Sequence, residues 1–242
     1  MKELIIGNWK MNPQTYAEAE RLLESVLKRT KKIKNAELVV CPPFVWLTDI
    51  SHKYNKEISF GAQDVFWGDA GAYTGEVSPK MLLSSGVKYV IVGHSERRTL
   101  CETDEMINKK AKAALRAGLK VVLCVGEPWS VRKKGLAAAK KFVKNQLQKD
   151  LAGIKLLIIA YEPVWAIGTN RADKPEDAVE MARFIKKSLV ISHKSKVRVL
   201  YGGSVNPRNA RAFLSPKEID GALVGKASLN AADFQKIIES VE

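Results

Sequence analysis

The chain has 242 residues, of which 40 are Lys or Arg and 26 are Asp or Glu, so the formal net charge is +14. This length excludes a disulfide-stapled miniprotein and fits one barrel-sized domain of about 250 residues. Hydrophobic residues at 46% and charged residues at 27% disfavour a disordered chain. The excess of basic residues is compatible with nucleic acid, a membrane surface or a small anionic substrate, and does not choose among them.

Eight apolar runs of strand length follow one another along the chain at a pitch of about 30 residues, the size of a βαβ step. They are continuous and rich in Val, Ile and Leu, as is typical of parallel strands that are buried on both faces. The predicted strands cover residues 4–9, 38–41, 58–62, 89–93, 121–125, 157–161, 197–201 and 222–224.

Helical patterns lie between these strands. Apolar residues at helical spacing predict helices over residues 16–34, 103–117, 134–151 and 175–190. Gly118 lies where the second of these helices would stop, and Pro175 is typical of a first helical turn. Alternating strands and helices are compatible with a closed barrel or with an open doubly wound sheet. The even spacing and the absence of a composition break favour an α/β fold, a closed eight-stranded parallel (β/α)8 barrel, as one domain over residues 1–242.

Most basic residues fall on the predicted helices. Three clusters contain Lys28, Arg29, Lys31, Lys32 and Lys34; Lys133, Lys134, Lys140, Lys141 and Lys144; and Lys186, Lys187, Lys194, Lys196 and Arg198. We interpret them as solvated outer faces of a barrel. A nucleic-acid-binding face would gain support from exposed aromatic residues among them, but Phe142 is the only aromatic residue in these clusters and its helical spacing predicts inward packing.

The cysteines and the N-terminal residues indicate the cellular compartment in which the protein works. Cys41, Cys101 and Cys124 form no Cys-x-x-Cys pair, which disfavours a disulfide framework or a zinc site. The first residues contain only a very short apolar run, and no run approaches the length of a transmembrane helix. We therefore expect a cytoplasmic protein without a signal peptide.

Active sites of such barrels form where the strands end at their C-termini. Glu162 follows the sixth predicted strand beside an apolar wall, and a partly desolvated carboxylate is a better base than a solvated one. A surface glutamate that caps a loop is the alternative. Segment 163–174, which comes next, has an apolar middle with Trp165 and Ile167. We expect it to be a lid that excludes water, the alternative being a static packed loop.

Two further strand ends carry polar residues. His94 precedes Ser95 and Glu96, which could open a short helix whose positive end would keep the imidazole neutral and able to donate a hydrogen bond to a carbonyl. Asn8 and Lys10 are two residues apart on the first strand, so we expect their side chains to share a face, with Lys10 as a positive charge at the barrel mouth. A packed structural histidine and an ordinary surface lysine are the alternatives.

Glycine-bearing turns follow the last two strands. Gly202-Gly203-Ser204 and Gly225-Lys226 resemble backbone cradles for an anion. Loops after the seventh and eighth strands commonly hold a phosphate in this fold. Each turn alone is a weak signal, but together they indicate a phosphorylated ligand.

These stretches resemble the triosephosphate isomerase family, in order and over nearly the whole chain. The matching stretches are Gly7-Asn8-Trp9-Lys10-Met11-Asn12, Gly61-Ala62-Gln63, Gly71-Ala72-Tyr73-Thr74-Gly75-Glu76, Val92-Gly93-His94-Ser95-Glu96-Arg97-Arg98, Cys124-Val125-Gly126-Glu127, Ala160-Tyr161-Glu162-Pro163-Val164-Trp165-Ala166-Ile167-Gly168-Thr169, Tyr201-Gly202-Gly203-Ser204-Val205 and Leu223-Val224-Gly225. The resemblance implies a TIM barrel and an enzyme that interconverts dihydroxyacetone phosphate and D-glyceraldehyde 3-phosphate through an enediolate, in glycolysis and gluconeogenesis, without cofactor or metal.

The resemblance also implies a role for each candidate residue. Glu162 would move a proton between the two substrate carbons, and neutral His94 would polarise the carbonyl. Lys10 would offset the negative charge, Asn8 would help to hold the substrate, and Glu96 would support the site from behind. The substrate phosphate would be held by backbone N–H groups of Gly168, Ser204, Gly225 and Lys226.

The resemblance implies partners as well. Thr74, on the loop 69–76, would reach a neighbouring subunit, which implies a homodimer. The partner molecule would be a small phosphorylated triose, and we expect neither nucleic acid nor membrane as a partner.

Two positions depart from the family pattern. The family usually has a second glycine where Lys226 stands, so its N–H reaches a phosphate without strain only if φ is negative. The Lys226 ammonium either adds charge to the phosphate pocket or points to solvent. Residues 170–174 differ from the glycine- and threonine-containing segment that is usual there, which bears on lid closure more than on chemistry.

Two other functions compete with this one. Another phosphate-binding barrel isomerase, from amino-acid biosynthesis, does not predict the stretches at residues 94–96 and 162–169. A basic nucleic-acid- or surface-binding protein that keeps the barrel is supported only by the net charge.

Overall fold

The computed structural model describes residues 2–155, 158–168, 173–189 and 197–241. Within them, parallel strands pair in chain order and the first also pairs with the last, which closes a barrel. The strands are β1 (Glu3–Asn8), β2 (Ala36–Cys41), β3 (Ser59–Ala62), β4 (Tyr89–Val92), β5 (Lys120–Val125), β6 (Ile158–Tyr161), β7 (Arg198–Tyr201) and β8 (Gly221–Val224). The predicted closed barrel is confirmed, and the open doubly wound sheet is excluded.

Helices cover the outside of the barrel. In the described residues they are α1 (Tyr16–Thr30), α2 (Phe44–Tyr54), α3 (Pro79–Ser84), α4 (Ser95–Thr99), α5 (Asp104–Ala117), α6 (Trp129–Arg132), α7 (Leu136–Asp150), α8 (Pro175–Ser188), α9 (Ala210–Leu214) and α10 (Ala231–Glu239), with 3₁₀ turns at Val164–Ala166 and Lys226–Leu229. The sequence predicted α1, α4, α5, α7 and α8, and it missed α2, α3, α6, α9 and α10. The first helix was predicted too long, since it ends at Thr30 rather than at residue 34.

Local signals explain several boundaries. The Thr15 hydroxyl accepts the N–H of Glu18 and the Glu18 carboxylate accepts the N–H of Thr15, which fixes the start of α1. Gly118 closes α5 at φ 98°, the left-handed conformation that glycine adopts without strain. Pro175 is the first residue of α8, as predicted. The predicted positions 157, 169–172, 190, Lys194 and Lys196 lie outside the described residues.

The core has two layers because strand side chains alternate in direction. One cluster fills the barrel and the other lies between strands and helices. The inner cluster is Leu4, Ile6, Val39, Cys41, Tyr89, Ile91, Val122, Cys124, Ile158, Ala160, Leu200 and Leu223. Burial on both faces accounts for the continuous apolar runs in the sequence, and the filled interior leaves the strand ends as the place for a site.

The surface agrees with the interpretation of the basic clusters. Lys28, Lys31, Lys133 and Lys144, among others, are exposed on or beside helices. None of the described helices is both long enough and apolar enough to cross a membrane.

Candidate active site

A cavity of about 880 Å³ opens at the C-terminal ends of the strands. It brings together all the residues that the sequence singled out for catalysis and substrate binding. These are Asn8, Lys10, His94, Glu162, Gly168, Ser204, Gly225 and Lys226. No cluster of three or more His, Cys, Asp or Glu side chains in the described part of the chain could hold a metal ion.

Glu162 lies at the back of this cavity and is almost fully buried. Its Oε2 accepts a hydrogen bond from the backbone N–H of Ser95 at 2.8 Å, and its Oε1 lies 3.0 Å from Nε2 of His94. Gly126, after β5, and Gly202, after β7, make room for it. A Cβ at Gly202 would lie 2.9 Å from the Cγ of Glu162, and one at Gly126 would overlap the Glu162 carbonyl oxygen.

His94 is the N-terminal cap of α4, so the predicted short helix does begin at Ser95. Its Nδ1 accepts the backbone N–H of Glu96 at 3.2 Å. An imidazole nitrogen that accepts a hydrogen bond carries no proton, so the ring is neutral with its proton on Nε2. That Nε2–H is directed at the cavity and at Glu162, where it can donate to a carboxylate or to a substrate carbonyl.

Lys10 lies beyond β1, which ends at Asn8, and has φ +54°. The argument that it shares a strand face with Asn8 is therefore wrong, although both side chains line the cavity. The Lys10 N–H donates to Asn8 Oδ1 at 3.0 Å, and the Lys10 carbonyl accepts from Gln63 Nε2 at 2.8 Å, which stabilises the left-handed turn. The Lys10 Nζ lies 2.5 Å from Glu96 Oε1. A Cβ at Gly225 would lie 3.2 Å from Lys10 Cε, so the glycine leaves space for this side chain.

The two glycine-bearing turns face the same cavity. Ser204 Oγ donates to the carbonyl of Ala166 at 3.0 Å, which joins the turn after β7 to the 3₁₀ turn that follows Glu162. Lys226 begins the 3₁₀ turn after β8 without a positive φ, so the strain that a non-glycine residue would bring to this position is absent. Its side chain is exposed at the cavity rim.

Sequence reasoning missed a buried carboxylate behind the site. Glu127 follows β5 and is fully buried. It accepts hydrogen bonds from the Tyr161 hydroxyl at 3.1 Å and from Trp165 Nε1 at 2.9 Å, and Arg132 Nη1 lies 3.7 Å away. Burial raises the pKa of Glu127. Its position two residues beyond the end of the fifth strand was the signal available in the sequence, because Glu162 likewise comes just beyond a strand, one residue after the end of the sixth.

Trp165 is buried, as expected for the apolar middle of segment 163–174. Its ring lies 5.9 Å from the ring of Trp129 and under the guanidinium of Arg132, at 5.2 Å. Positions 169–172 of the predicted lid are outside the described residues, so closure over the site stays a prediction.

Comparison with known proteins agrees with this geometry. The triosephosphate isomerase family model matches residues 3–241. The triosephosphate isomerase of Dictyoglomus thermophilum is 45% identical over 251 aligned positions, which cover 99% of this chain and 99% of that protein. That of Thermoanaerobacter pseudethanolicus is 46% identical with 98% of each chain covered, and that of Aquifex aeolicus is 43% identical with 99% of this chain and 100% of that protein covered.

A family match of this extent decides between the functions left open by the sequence. It favours the glycolytic isomerase over an isomerase of amino-acid biosynthesis and over a non-enzymatic basic barrel. The chain belongs to the triosephosphate isomerase family and is an enzyme of glycolysis that interconverts dihydroxyacetone phosphate and D-glyceraldehyde 3-phosphate.

Proposed function

We propose that Glu162 is the base of this isomerisation and that His94 is its electrophile. The observation that supports this assignment is the 3.0 Å separation between Glu162 Oε1 and His94 Nε2 inside a cavity that also holds Lys10. A carbonyl compound in the cavity that lies against both groups has its acidic C–H beside a carboxylate and its oxygen beside an N–H donor. Both requirements of proton removal next to a carbonyl are then met at once.

The reaction divides into two proton transfers. The Glu162 carboxylate takes a proton from the carbon next to the carbonyl, and the His94 Nε2–H stabilises the oxygen on which negative charge develops. The protonated Glu162 then returns the proton to the neighbouring carbon, while the proton between the two oxygens moves by way of His94. Lys10 lowers the energy of the enediolate by its positive charge, and Glu96 holds the Lys10 ammonium at the cavity wall.

We propose that the phosphate of the substrate binds to a different set of residues from the reacting carbons. The backbone N–H groups of Gly168, Ser204, Gly225 and Lys226 form what we call the phosphate cradle, and Asn8 helps to hold the substrate between cradle and base. Binding at the cradle fixes the reacting carbon relative to Glu162, which converts binding energy into orientation. Proton transfer of this kind needs a base, a donor and a positive charge, so we propose that it uses no metal or cofactor.

Hydrogen exchange with solvent tests the base directly. In deuterated water the unmodified enzyme should introduce deuterium at the reacting carbon of dihydroxyacetone phosphate during turnover. Glu162→Gln, which keeps the shape but cannot accept the proton, should lose this exchange, whereas Glu57→Gln on the exposed surface should not. Exchange at the unmodified rate in Glu162→Gln would remove Glu162 from its role.

We further propose a cytoplasmic homodimer of single-domain subunits, with no nucleic acid or membrane partner. The contact would use the loop 69–76 around Thr74. Its exposed side chains include Tyr73 at 52% exposure, and Met81 and Leu83 on the adjoining helix α3 are exposed at 54% and 40%. Apolar side chains of this size grouped on a surface favour a protein–protein contact.

A further inference from the structure

A buried carboxylate lies beside the cavity and has no part in the chemistry proposed above. Asp173 is 7% exposed and precedes the first turn of α8. Its Oδ1 accepts the backbone N–H of Lys174 at 2.9 Å, and its Oδ2 accepts the hydroxyl of Tyr201 at 3.3 Å. The carboxylate therefore joins the start of α8 to the end of β7.

Tyr201 is the last residue of β7 and leads directly into Gly202-Gly203-Ser204. Its ring is stacked on Phe213 at 4.2 Å with 7° between the planes, which fixes the ring. Its hydroxyl lies against the backbone of Gly203, so closely that a Cβ at this glycine would collide with it. The position of the hydroxyl consequently limits where the Gly203 backbone, and the Ser204 N–H after it, can lie.

The charges around Asp173 make its burial costly. Arg132 on α6 is the cation that acts on it most strongly, but that guanidinium is hydrogen-bonded to Asp177 on α8. Glu127 and the Tyr161 hydroxyl lie on the same side of the barrel mouth. A buried carboxylate with only partial compensation is less stable than an apolar residue of similar size. Only a polar acceptor at this position supplies the hydrogen bonds to the Lys174 N–H and to the Tyr201 hydroxyl, and the second of these reaches the turn after β7.

We propose that Asp173 is a positioning residue for the substrate phosphate, which acts by holding the Tyr201 hydroxyl against Gly203 and thereby fixing the Ser204 end of the phosphate cradle. The inference rests on the proposed cradle and adds a residue that touches neither substrate nor reacting atoms. Its signature is a change in phosphate affinity with little change in the chemical step, because the hydrogen bonds that hold Glu162 and His94 come from Ser95 and Glu96 rather than from Asp173 or Tyr201.

Sulfate is the suitable probe, because it resembles the phosphate group but keeps its charge between about pH 5 and pH 8, whereas a phosphate ester titrates there. Binding is followed by the NMR signals of the Ser204 and Gly225 amides during titration with sodium sulfate at constant ionic strength. Asp173→Ala should weaken sulfate binding about three- to tenfold, the effect of one lost hydrogen bond, and raise KM by a similar factor with kcat changed less than about twofold. Asp173→Asn keeps an acceptor for the hydroxyl and should stay within about twofold of the unmodified protein.

Substitution of Tyr201, which donates the hydrogen bond to Asp173, gives a second and independent test. Tyr201→Phe should weaken sulfate binding as much as Asp173→Ala does, and the double variant should lose no more than either single variant. Glu176→Ala is the matched control, because Glu176 is an exposed carboxylate in the first turn of α8, close to Asp173 in the chain, whereas the hydrogen bond to Tyr201 comes from Asp173. It should bind sulfate like the unmodified protein.

Each contrary result has a separate meaning. Unchanged sulfate affinity in Asp173→Ala, additive losses with Tyr201→Phe, or a loss in Asp173→Asn equal to that in Asp173→Ala would each overturn the role of Asp173. If the Ser204 and Gly225 amides of the unmodified protein do not respond to sulfate, the proposed cradle itself is wrong. A response there with no effect of Asp173→Ala would leave the cradle standing and remove only the positioning residue.

Discussion

The Nε2 atom of His94, after β4, lies 3.0 Å from the Oε1 atom of Glu162, after β6, although β5 separates the two strands. The contact is possible because the residue after β5 in the intervening position is Gly126. Any side chain at Gly126 would overlap the backbone of Glu162. The close approach of base and electrophile thus depends on Gly126, which takes no part in the chemistry itself.

The first prediction concerns the proton on His94. Because Nδ1 accepts the Glu96 N–H, the ring at neutral pH should be the Nε2–H tautomer. Nitrogen NMR of protein labelled in histidine should give an unprotonated signal for Nδ1 and a protonated one for Nε2. A protonated Nδ1 would contradict the assigned electrophile, since the cap hydrogen bond would then have no acceptor.

The second prediction concerns the charge of Lys226 at the cavity rim. Lys226→Ala should raise KM about two- to fivefold at low ionic strength, and the difference should shrink as salt screens an exposed ammonium. Lys236→Ala, an exposed lysine on α10 outside the cavity lining, is the matched control and should leave KM unchanged. Identical KM values for Lys226→Ala and the unmodified enzyme at every ionic strength would show that the ammonium does not act on the phosphate.

The third prediction concerns pH and the stability of the fold. Burial raises the pKa of Asp173 from its ordinary value of 3.8 to about 6. Between these two pH values the folded state holds the Asp173 proton more tightly than the unfolded state does, so the contribution of Asp173 to the free energy of unfolding falls as pH rises from about 4 to about 6 and is level above that. Two units of pKa correspond to about 2–3 kcal/mol.

The matched variant isolates this effect. In Asp173→Asn the group does not titrate, while every other carboxylate is kept. Urea unfolding at several pH values should give a difference in free energy of unfolding, unmodified minus variant, that decreases by about 2–3 kcal/mol across this range. A difference that is constant with pH, or that rises, would mean that burial does not raise the pKa of Asp173.

The fourth prediction concerns assembly. Thr74→Arg places a charged side chain in the proposed subunit contact without touching the cavity lining. Sedimentation velocity should find a dimer for the unmodified protein and a monomer for the variant at micromolar concentration. A Lys144→Ala variant on the exposed face of α7 serves as the surface control and should stay dimeric. A monomeric unmodified protein would overturn the proposed homodimer.

Much of this architecture could be predicted from the sequence. The apolar runs predict the residue at which each strand ends. His94, Glu162 and the two glycine-bearing turns could therefore be assigned to the C-terminal mouth of the barrel before their contacts were known. The same reasoning failed for Lys10, because the backbone leaves the strand at Asn8. The position of the Lys10 side chain is set by a left-handed turn, which Gln63 stabilises from the loop after β3. Local periodicity contains no information about such a contact.

Two buried carboxylates illustrate the other limit of sequence reasoning. Nothing in the neighbours of Asp173 along the chain indicates that its acceptor role involves Tyr201, since the pair meets only when β7 and the start of α8 pack together. Glu127 is similar, because its donors Tyr161 and Trp165 come from the next strand and the turn after it. Burial of these acids depends on tertiary structure, whereas the spacing of strands and helices does not.

The most direct test of the catalytic assignment is the steady-state rate of Glu162→Asp with D-glyceraldehyde 3-phosphate in a coupled assay. The shorter side chain keeps the carboxylate but withdraws it from the reacting carbon, and a misplacement of about 1 Å costs on the order of 100-fold in rate. We predict a folded protein whose thermal unfolding is close to that of the unmodified enzyme and whose kcat is lower by about 100-fold or more. A folded Glu162→Asp variant with unmodified kcat would contradict the assignment of Glu162 as the base.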